Sequence, residues 1–425
     1  MTPLPDPLPI RSRGPLDARI RVPGSRSVTN RALLAAALAS GESRLEGAAS
    51  SDDTEAMRRG LMALGVRIAV ESDAWTVVGV GGRFEAWNQT LDAGASGTTA
   101  RFLTAAATLA TGPVVVDGTP RMRERPIQEL VDALRALGAD CEARSPGGCP
   151  PVRVAGGGLP GGRACIDARR SSQFVSGILL AAPYAARDVE LSFVDGVLVS
   201  RPFVDLTLQV MRAFQARAEW RGQDLRVRAG FPYQPRVYPI EPDAQSAVYG
   251  FAAAAIAGGR VRVEGIPAES RQTDLLFLDA LESMGCRVER KPDAVEVRSP
   301  EHALRGVEID MNATPDAALA LAVVALFAEG ATTIRNIANL RIKETDRLAA
   351  LETELRRLGG LATAGPDWLR IDPAPLHGAI IDTYDDHRIA MAFALAGLRV
   401  PGVAIRNPGC VSKTWPNYFD ALERL

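Results

Sequence analysis

Ser172-Gln-Phe-Val-Ser-Gly-Ile-Leu-Leu-Ala-Ala182 decides how this chain folds, because the chain repeats it. A helix of this composition is apolar nearly all round, so it is buried on every side. Five other stretches share the form, a polar residue or an arginine followed by a run rich in Ala and Leu. They are Arg31-Ala-Leu-Leu-Ala-Ala-Ala-Leu38, Arg101-Phe-Leu-Thr-Ala-Ala-Ala107, Ser246-Ala-Val-Tyr-Gly-Phe-Ala-Ala-Ala-Ala255, Asp316-Ala-Ala-Leu-Ala-Leu-Ala-Val-Val-Ala325 and Arg388-Ile-Ala-Met-Ala-Phe-Ala-Leu-Ala396. Their starts, at 31, 101, 172, 246, 316 and 388, are 70, 71, 74, 70 and 72 residues apart. Spacing this regular marks one structural unit repeated six times.

A small-residue turn follows each buried helix. Most copies then show a short β-like run, such as Pro113-Val-Val-Val-Asp117 or Arg260-Val-Arg-Val-Glu264. A second, amphipathic helix comes next. Arg125-Pro-Ile-Gln-Glu-Leu-Val-Asp-Ala-Leu-Arg-Ala-Leu-Gly138 is the clearest example, with Pro126 near its start and Gly138 at its end. Strand patterns such as Ala294-Val-Glu-Val-Arg298 close several copies. The class is therefore α/β. Six such units exceed one core, which predicts two domains of three units. The proline cluster Pro232, Pro235, Pro239 and Pro242 places the cut between the third and fourth units. The expected domains are 20–239 and 1–19 plus 240–425, with crossings near 19–23 and 238–243, and with the ligand site in a cleft between them.

Composition narrows the function. The net charge is −1, so no global basic field points to nucleic acid or an anionic membrane surface. The run Met1-Thr2-Pro3-Leu4-Pro5-Asp6 has no apolar core, which speaks against a signal peptide. The apolar stretch from Ala317 to Ala328 is too short to span a bilayer. Cys141, Cys149, Cys165, Cys286 and Cys410 form no Cys-x-x-Cys pair and are odd in number, so neither a disulfide framework nor a zinc site is expected. A reducing cytoplasm is the simplest location. Of 49 basic residues only Lys291, Lys343 and Lys413 are lysine. The places where lysine persists in such a chain are candidates for a specific need for an ammonium.

The informative polar residues lie at the starts of the buried helices or in loops before them. Free N–H groups and a positive dipole end make such starts attractive to anions. They include Ser25-Arg26-Ser27, Asn30-Arg31, Gly97-Thr-Thr-Ala-Arg101, Ser171-Ser172-Gln173 and His387-Arg388. Loops add Arg121-Met-Arg-Glu-Arg125, Ser200-Arg201 and Arg341-Ile-Lys343-Glu344-Thr-Asp-Arg347. Each has a plain alternative. Ser-Arg-Ser is then a cap with a solvated arginine, and Arg121–Arg125 a charged surface loop. Lys343-Glu344 becomes a surface pair, His387 a satisfied capping histidine, and Asp316 an N-cap. Their recurrence at equivalent places in six units favours a strongly positive site for phosphates and carboxylates.

The segments Pro23-Gly-Ser-Arg-Ser-Val-Thr-Asn-Arg31, Ser51-Asp-Asp-Thr54, Pro120-Arg-Met-Arg-Glu-Arg-Pro126, Ser171-Ser-Gln-Phe174, Pro315-Asp-Ala-Ala318, Arg341-Ile-Lys-Glu-Thr-Asp-Arg347, Tyr384-Asp-Asp-His-Arg388 and Pro408-Gly-Cys-Val-Ser-Lys-Thr414 occur in this order. In them the chain resembles the 5-enolpyruvylshikimate-3-phosphate synthase family of enolpyruvyl transferases along almost its whole length. The resemblance implies an enolpyruvyl-transferase fold of two domains, each of three βαβαββ units with buried helices. It implies transfer of the enolpyruvyl group of phosphoenolpyruvate to the 5-hydroxyl of shikimate 3-phosphate, with release of phosphate, on the way to aromatic amino acids. No metal and no organic cofactor is implied, and the chain is expected to act as a monomer.

Carried over by position, the ring acid would meet Ser27, Arg31, Ser171, Ser172, Gln173, Ser200, Asp316, Asn339 and Lys343. Phosphoenolpyruvate would meet Gly97, Arg125, Gln173, Glu344, Arg347, Arg388 and Lys413, with Arg26 near both and His387 beside them. The chemistry is addition then elimination, so a carboxylate must take the hydroxyl proton and an acid must supply the methylene proton. Asp316 suits the first role; Lys413 or Glu344 suits the second. An arginine cannot, because it stays charged. Arg125, Arg347 and Arg388 suit bidentate pairs with phosphate and carboxylate.

Several positions depart from the family pattern. Arg26 stands for lysine, and Ala95-Ser96 replace Asn-Ala in the Gly-Asn-Ala-Gly-Thr loop. Phe203 stands for tyrosine and Leu340 for an aromatic. Pro242-Asp-Ala-Gln-Ser246 replaces Gly-Asp-Ala-Ser-Ser, and Arg169-Arg170 add charge beside Ser171. These motivate alternatives: a paralogue with another phosphorylated cyclic acid as acceptor, or a non-catalytic ligand-binding homologue. The UDP-N-acetylglucosamine enolpyruvyl transferases carry a catalytic cysteine in the loop that here runs Asp117–Arg125, where no cysteine lies. A phosphate cyclase acting on RNA ends is disfavoured by the neutral charge.

Overall fold

The computed structural model describes residues 4–71, 74–270 and 272–425; Met1, Thr2 and Pro3 of the amino-terminal run lie outside them. The chain divides into two compact units, Gly24–Ile240 and Met1–Pro23 with Glu241–Leu425. The cut falls a few residues beyond 19/20, because the strand Leu16–Ile20 pairs through its last residue, Ile20 with Val263, in the second of these units.

In Gly24–Ile240 the helices are α1 (Arg26–Leu38), α2 (Asp52–Ala63), α3 (Gly97–Ala106), α4 (Gln128–Ala136), α5 (Ser172–Ala181) and α6 (Arg201–Ala213). Each of the three copies here builds one four-stranded sheet. In the second, Gln89–Asp92 pairs parallel with Val114–Asp117, which pairs antiparallel with Cys149–Val154, which carries Cys141–Ser145 at the edge. α3 connects the parallel pair and α4 leads to the hairpin, which is a βαβαββ unit. The third copy, from Gly162–Ala168 to Asp224–Val227, is ordered the same way. The first borrows its opening strand, Val237–Pro239, from the far end of the segment.

The other unit contributes α7 (Ala244–Ala257), α8 (Phe277–Ser283), α9 (Ala318–Ala325), α10 (Arg347–Arg357), α11 (His387–Gly397) and α12 (Tyr418–Glu423). Two of its copies build full four-stranded sheets. The sixth departs from the expected βαβαββ pattern. Ile380–Ile381 pairs parallel with Ala404–Ile405, and Leu8–Pro9 takes the hairpin's place as the antiparallel neighbour.

α1, α3, α5, α7, α9 and α11 are the buried helices. Every residue of α9 and α11 is buried, as is all of α7 but Ala257. Truncating a fully buried leucine such as Leu33 or Leu321 to alanine costs about 2–5 kcal/mol. Close helix packing needs small residues: a Cβ on Gly177 of α5 would lie 2.9 Å from the Arg101 carbonyl of α3. The amphipathic partners end as their sequences dictate. Gly138, at φ +91°, stops α4 in a conformation that favours glycine. Ser51 and Thr54 form a capping box at the start of α2, with Asp52, Asp53 and Glu55 in its first turn.

Arg31 and Arg101, read above as helix-start residues, lie about one turn inside α1 and α3. Both are buried, at 2% and 3% exposure. The helices begin earlier because Ser96 caps α3, accepting from Thr99 N, and Ser25 stands at the cap position of α1.

Candidate active site

In Gly24–Ile240 four helix starts are tied together by side chains. Arg26, the first residue of α1, pairs with Asp53 at the start of α2 (3.1 Å). Thr99 in α3 donates to the Asp53 carbonyl (3.1 Å) and to Ser96 Oγ (2.8 Å). Gln173 in α5 donates to Thr98 Oγ1 (3.0 Å), while Ser171 Oγ caps α5 by accepting from Gln173 N (3.2 Å). Arg125 reaches the same helix start, donating to the Ala95 carbonyl (3.2 Å). Gly97 makes this possible, since a Cβ there would lie 2.7 Å from Arg125 Nη2. These contacts bring the starts of α1, α2, α3 and α5 together beside Arg26 and Arg125.

The remaining expected ligands of this unit make other contacts. Arg31 donates to Thr207 Oγ1 (2.7 Å) and to the carbonyls of Ser27 (2.9 Å) and Phe203 (3.1 Å), so it ties α1 to α6 in the packing. Ser172 is buried in the first turn of α5. Ser200 is half-buried, in the left-handed conformation before α6, with no side-chain cap bond. Arg121 and Arg123 are the exposed, paired residues of a surface loop, held by Glu124 and Asp117. Arg169 and Arg170 add little field at Ser171, because Asp167, Asp195 and Glu129 neutralise them.

The other unit gathers a denser cluster at the starts of α9, α10 and α11. Arg347 opens α10 and is 1% exposed. It forks onto Asp386 (2.7 and 3.1 Å), donates to Asp316 Oδ1 (2.8 Å) and meets Glu344 (2.8 Å). Burial works against its charge, yet Asp386, Glu344 and Asp316 hold its pKa above the ordinary value. Asp316 also receives Arg388 (3.2 Å) and Lys343 (3.5 Å). Burial alone would raise the Asp316 pKa; Arg388, Lys343 and Arg347 hold it well below the usual carboxylate range. Lys413 lies 3.1 Å from Glu344. Four cations, Lys343, Arg347, Arg388 and Lys413, therefore face three carboxylates, Asp316, Glu344 and Asp386, with a fourth carboxylate, Asp274, also acting on Arg388.

These contacts overturn three plain alternatives. Asp316 does not cap α9; it sits in a 3-10 turn, Pro315–Ala317, and gathers three cations. His387 does not cap α11, because Asp386 does so, accepting from Arg388 N (2.9 Å). Both His387 ring nitrogens are buried with no hydrogen-bond partner among the described residues. Burial and neighbouring Arg388 keep this imidazole well below its ordinary pKa, hence neutral. Lys343-Glu344 is not a surface pair, since each joins the cluster through a different partner. Asn339, half-buried nearby in sequence, also has an unpartnered side-chain oxygen. Leu340 is fully buried in the core of its unit, so that departure concerns packing.

Asp53, Asp386 and Gln245 lie in quoted segments but were given no role from the sequence, and Asp274 was not singled out at all. An acid just before or after a helix start usually signals capping, which hides a second role. Among the described residues no group of His, Cys, Asp and Glu is arranged to hold a metal. No described helix is long and apolar enough to cross a membrane.

Two units of repeated α/β modules with charged helix starts are the build of an enolpyruvyl transferase. The solved enolpyruvyl transferase NikO from Streptomyces tendae has this fold, with a TM-score of 0.81 over 99% of this chain and 98% of that one, at 21% identity. The match to the family described as EPSP synthase (3-phosphoshikimate 1-carboxyvinyltransferase) spans residues 10–422, and the chain belongs to that family. A 3-phosphoshikimate 1-carboxyvinyltransferase from Methanoculleus marisnigri is 48% identical over 97% of this chain and 98% of its own. One from Nostoc punctiforme is 44% identical over 95% of each. The solved EPSP synthase from Acinetobacter baumannii has a TM-score of 0.83 at 26% identity, covering 98% of this chain and 97% of that one.

Proposed function

We propose that this chain transfers the enolpyruvyl group of phosphoenolpyruvate to the 5-hydroxyl of shikimate 3-phosphate and releases inorganic phosphate. Family membership across nearly the whole chain supports the reaction. The observation that carries the chemistry is the Asp316 carboxylate gripped by Arg347, Arg388 and Lys343 beside the Glu344–Lys413 pair.

In this reading an acid, Lys413 or Glu344, protonates the methylene of phosphoenolpyruvate. The ring hydroxyl bonds to the cationic carbon and gives its proton to Asp316. Phosphate then leaves with the bridging oxygen, and the new methyl group loses a proton to restore the double bond. Asp316 is a poor base while three cations hold it. Ligand phosphate and carboxylate groups compete for those cations, so binding itself raises the basicity of Asp316. Arg347 and Arg388 supply the bidentate donors for this exchange. In Gly24–Ile240, Arg26, Arg125, Ser27, Ser171 and Gln173 supply hydroxyl, amide and guanidinium donors at helix starts.

We also place the chain in a reducing cytoplasm as a monomer. All five cysteines are unpaired thiols, as such a compartment allows; size-exclusion chromatography with light scattering tests the oligomeric state. The functional test is phosphate release from phosphoenolpyruvate. Release is expected only when shikimate 3-phosphate is present. Release with a different phosphorylated cyclic acid, and none with shikimate 3-phosphate, would move the acceptor to a paralogue's substrate.

A further inference from the structure

We propose that Gln245 is a positioning residue that locks the Arg388 guanidinium in its anion-binding orientation, an inference that rests on the functional reading above. Gln245 is the second residue of α7 and is 5% exposed. Its amide stands between a group that only donates, Arg388, and the carboxylate of Asp274, which accepts. That fixes the amide orientation. Oε1 accepts from Arg388 Nη1 at 3.0 Å, and Nε2 donates to Asp274 Oδ1 at 2.5 Å. The reverse orientation would set donor against donor and acceptor against acceptor.

The anchor is itself held. Thr314 Oγ1 donates to Asp274 Oδ1 at 2.8 Å, and Thr314 leads directly into the turn that carries Asp316. Arg388 Nη2 lies 3.2 Å from Asp316 Oδ2. The guanidinium is therefore gripped at both terminal nitrogens, by Asp316 on one side and by Gln245 on the other, with the Tyr249 ring adjacent. A neutral acceptor orients the cation without bringing a further carboxylate into contact with it. A side chain several bonds shorter, such as serine, could not span Arg388 and Asp274.

The test is steady-state kinetics on the full chain. Gln245→Met keeps length and apolar volume but neither accepts nor donates. The KM for phosphoenolpyruvate is expected to rise about tenfold, the worth of one hydrogen bond to a charged group. On the same basis kcat and the KM for shikimate 3-phosphate should stay within about twofold. Gln245→Ser, which removes the same two hydrogen bonds by shortening the side chain, should show the same split. In an Arg388→Lys background, Gln245→Met should change the phosphoenolpyruvate KM less than about twofold, because the two residues act as one unit. An unchanged KM in both single variants, a parallel rise for both substrates, or the same factor in both backgrounds would overturn the proposal. If the unaltered chain shows no turnover with these substrates, the functional reading fails, and this inference falls with it.

Discussion

Lys413 Nζ lies 3.1 Å from Glu344 Oε1, and the other oxygen of that carboxylate lies 2.8 Å from Arg347 Nη2. Glu344 thus stands between an ammonium that can give up a proton and a guanidinium that cannot. In a chain with three lysines this placement argues for proton transfer rather than simple charge. Lys413→Arg is expected to lower kcat by about 10²–10⁴-fold, the usual worth of a positioned acid. Phosphoenolpyruvate affinity, measured by calorimetry, should change only a few-fold. Full turnover in this variant would put the acid elsewhere.

Arg26 pairs with Asp53 through Nη1, and its Nε is buried without a hydrogen-bond partner among the described residues. A lysine can make the same pair and leaves no buried donor unmatched. Arg26→Lys is therefore expected to retain kcat/KM within about threefold, whereas Arg26→Met should lose about tenfold or more with the charge. A dead lysine variant would show that the site depends on the guanidinium shape.

Gly97 is small because Arg125 occupies the space a side chain would fill. Arg101 Nη1, buried and donating to the Gly97 carbonyl, would lie equally close at 2.7 Å, so Gly97→Ala is expected to displace both guanidiniums. The phosphoenolpyruvate KM should rise about tenfold, with a fall of a few degrees in melting temperature from the strained Arg101. A large fall in melting temperature with an unchanged KM would contradict this account.

Arg347 compensates three carboxylates, of which Asp386 has a fully buried side chain. Removing one member of such a set costs about 3–5 kcal/mol, because the partner charges stay buried. Arg347→Met should be destabilised by that amount in denaturant titration, and a second change, Asp386→Asn, should restore part of it. Additive losses in the double variant would argue against the coupling.

Two buried aspartates pull stability in opposite directions with pH. Burial, with Asp243 beside it, pushes the Asp274 carboxyl up from 3.8 to about 6. A raised folded pKa contributes stability below pH 3.8 that is lost as pH rises through about 6, on the order of 3 kcal/mol. Asp274→Asn removes that loss, so its stability relative to the parent should improve between pH 4 and pH 7. Asp316 has the opposite sign. Its folded pKa is depressed, so its contribution is present above pH 3.8 and lost as pH falls further. Urea titrations from pH 3 to pH 8 check both signs.

The six buried helices were legible because their composition and spacing repeat. The sixth unit was not fully legible, since two-residue strands such as Leu8–Pro9 and Ala404–Ile405 carry no periodicity. Site residues in loops with several charges, Lys343, Glu344 and Arg347, stood out in the sequence. Arg31 and Arg101 did not reveal their roles, because a sequence does not say which turn of a helix an arginine occupies. Gln245 and Asp274 lie 29 residues apart (245 to 274), and only folding brings them together.

The most direct test follows one oxygen atom. Enolpyruvyl transfer breaks the carbon–oxygen bond of phosphoenolpyruvate, whereas phosphoryl transfer breaks the phosphorus–oxygen bond. With a heavy-oxygen label in the bridging position and shikimate 3-phosphate as acceptor, mass spectrometry should find the label in the released inorganic phosphate. Label retained in pyruvate, or an acceptor that gains phosphate instead of three carbons, would contradict the account.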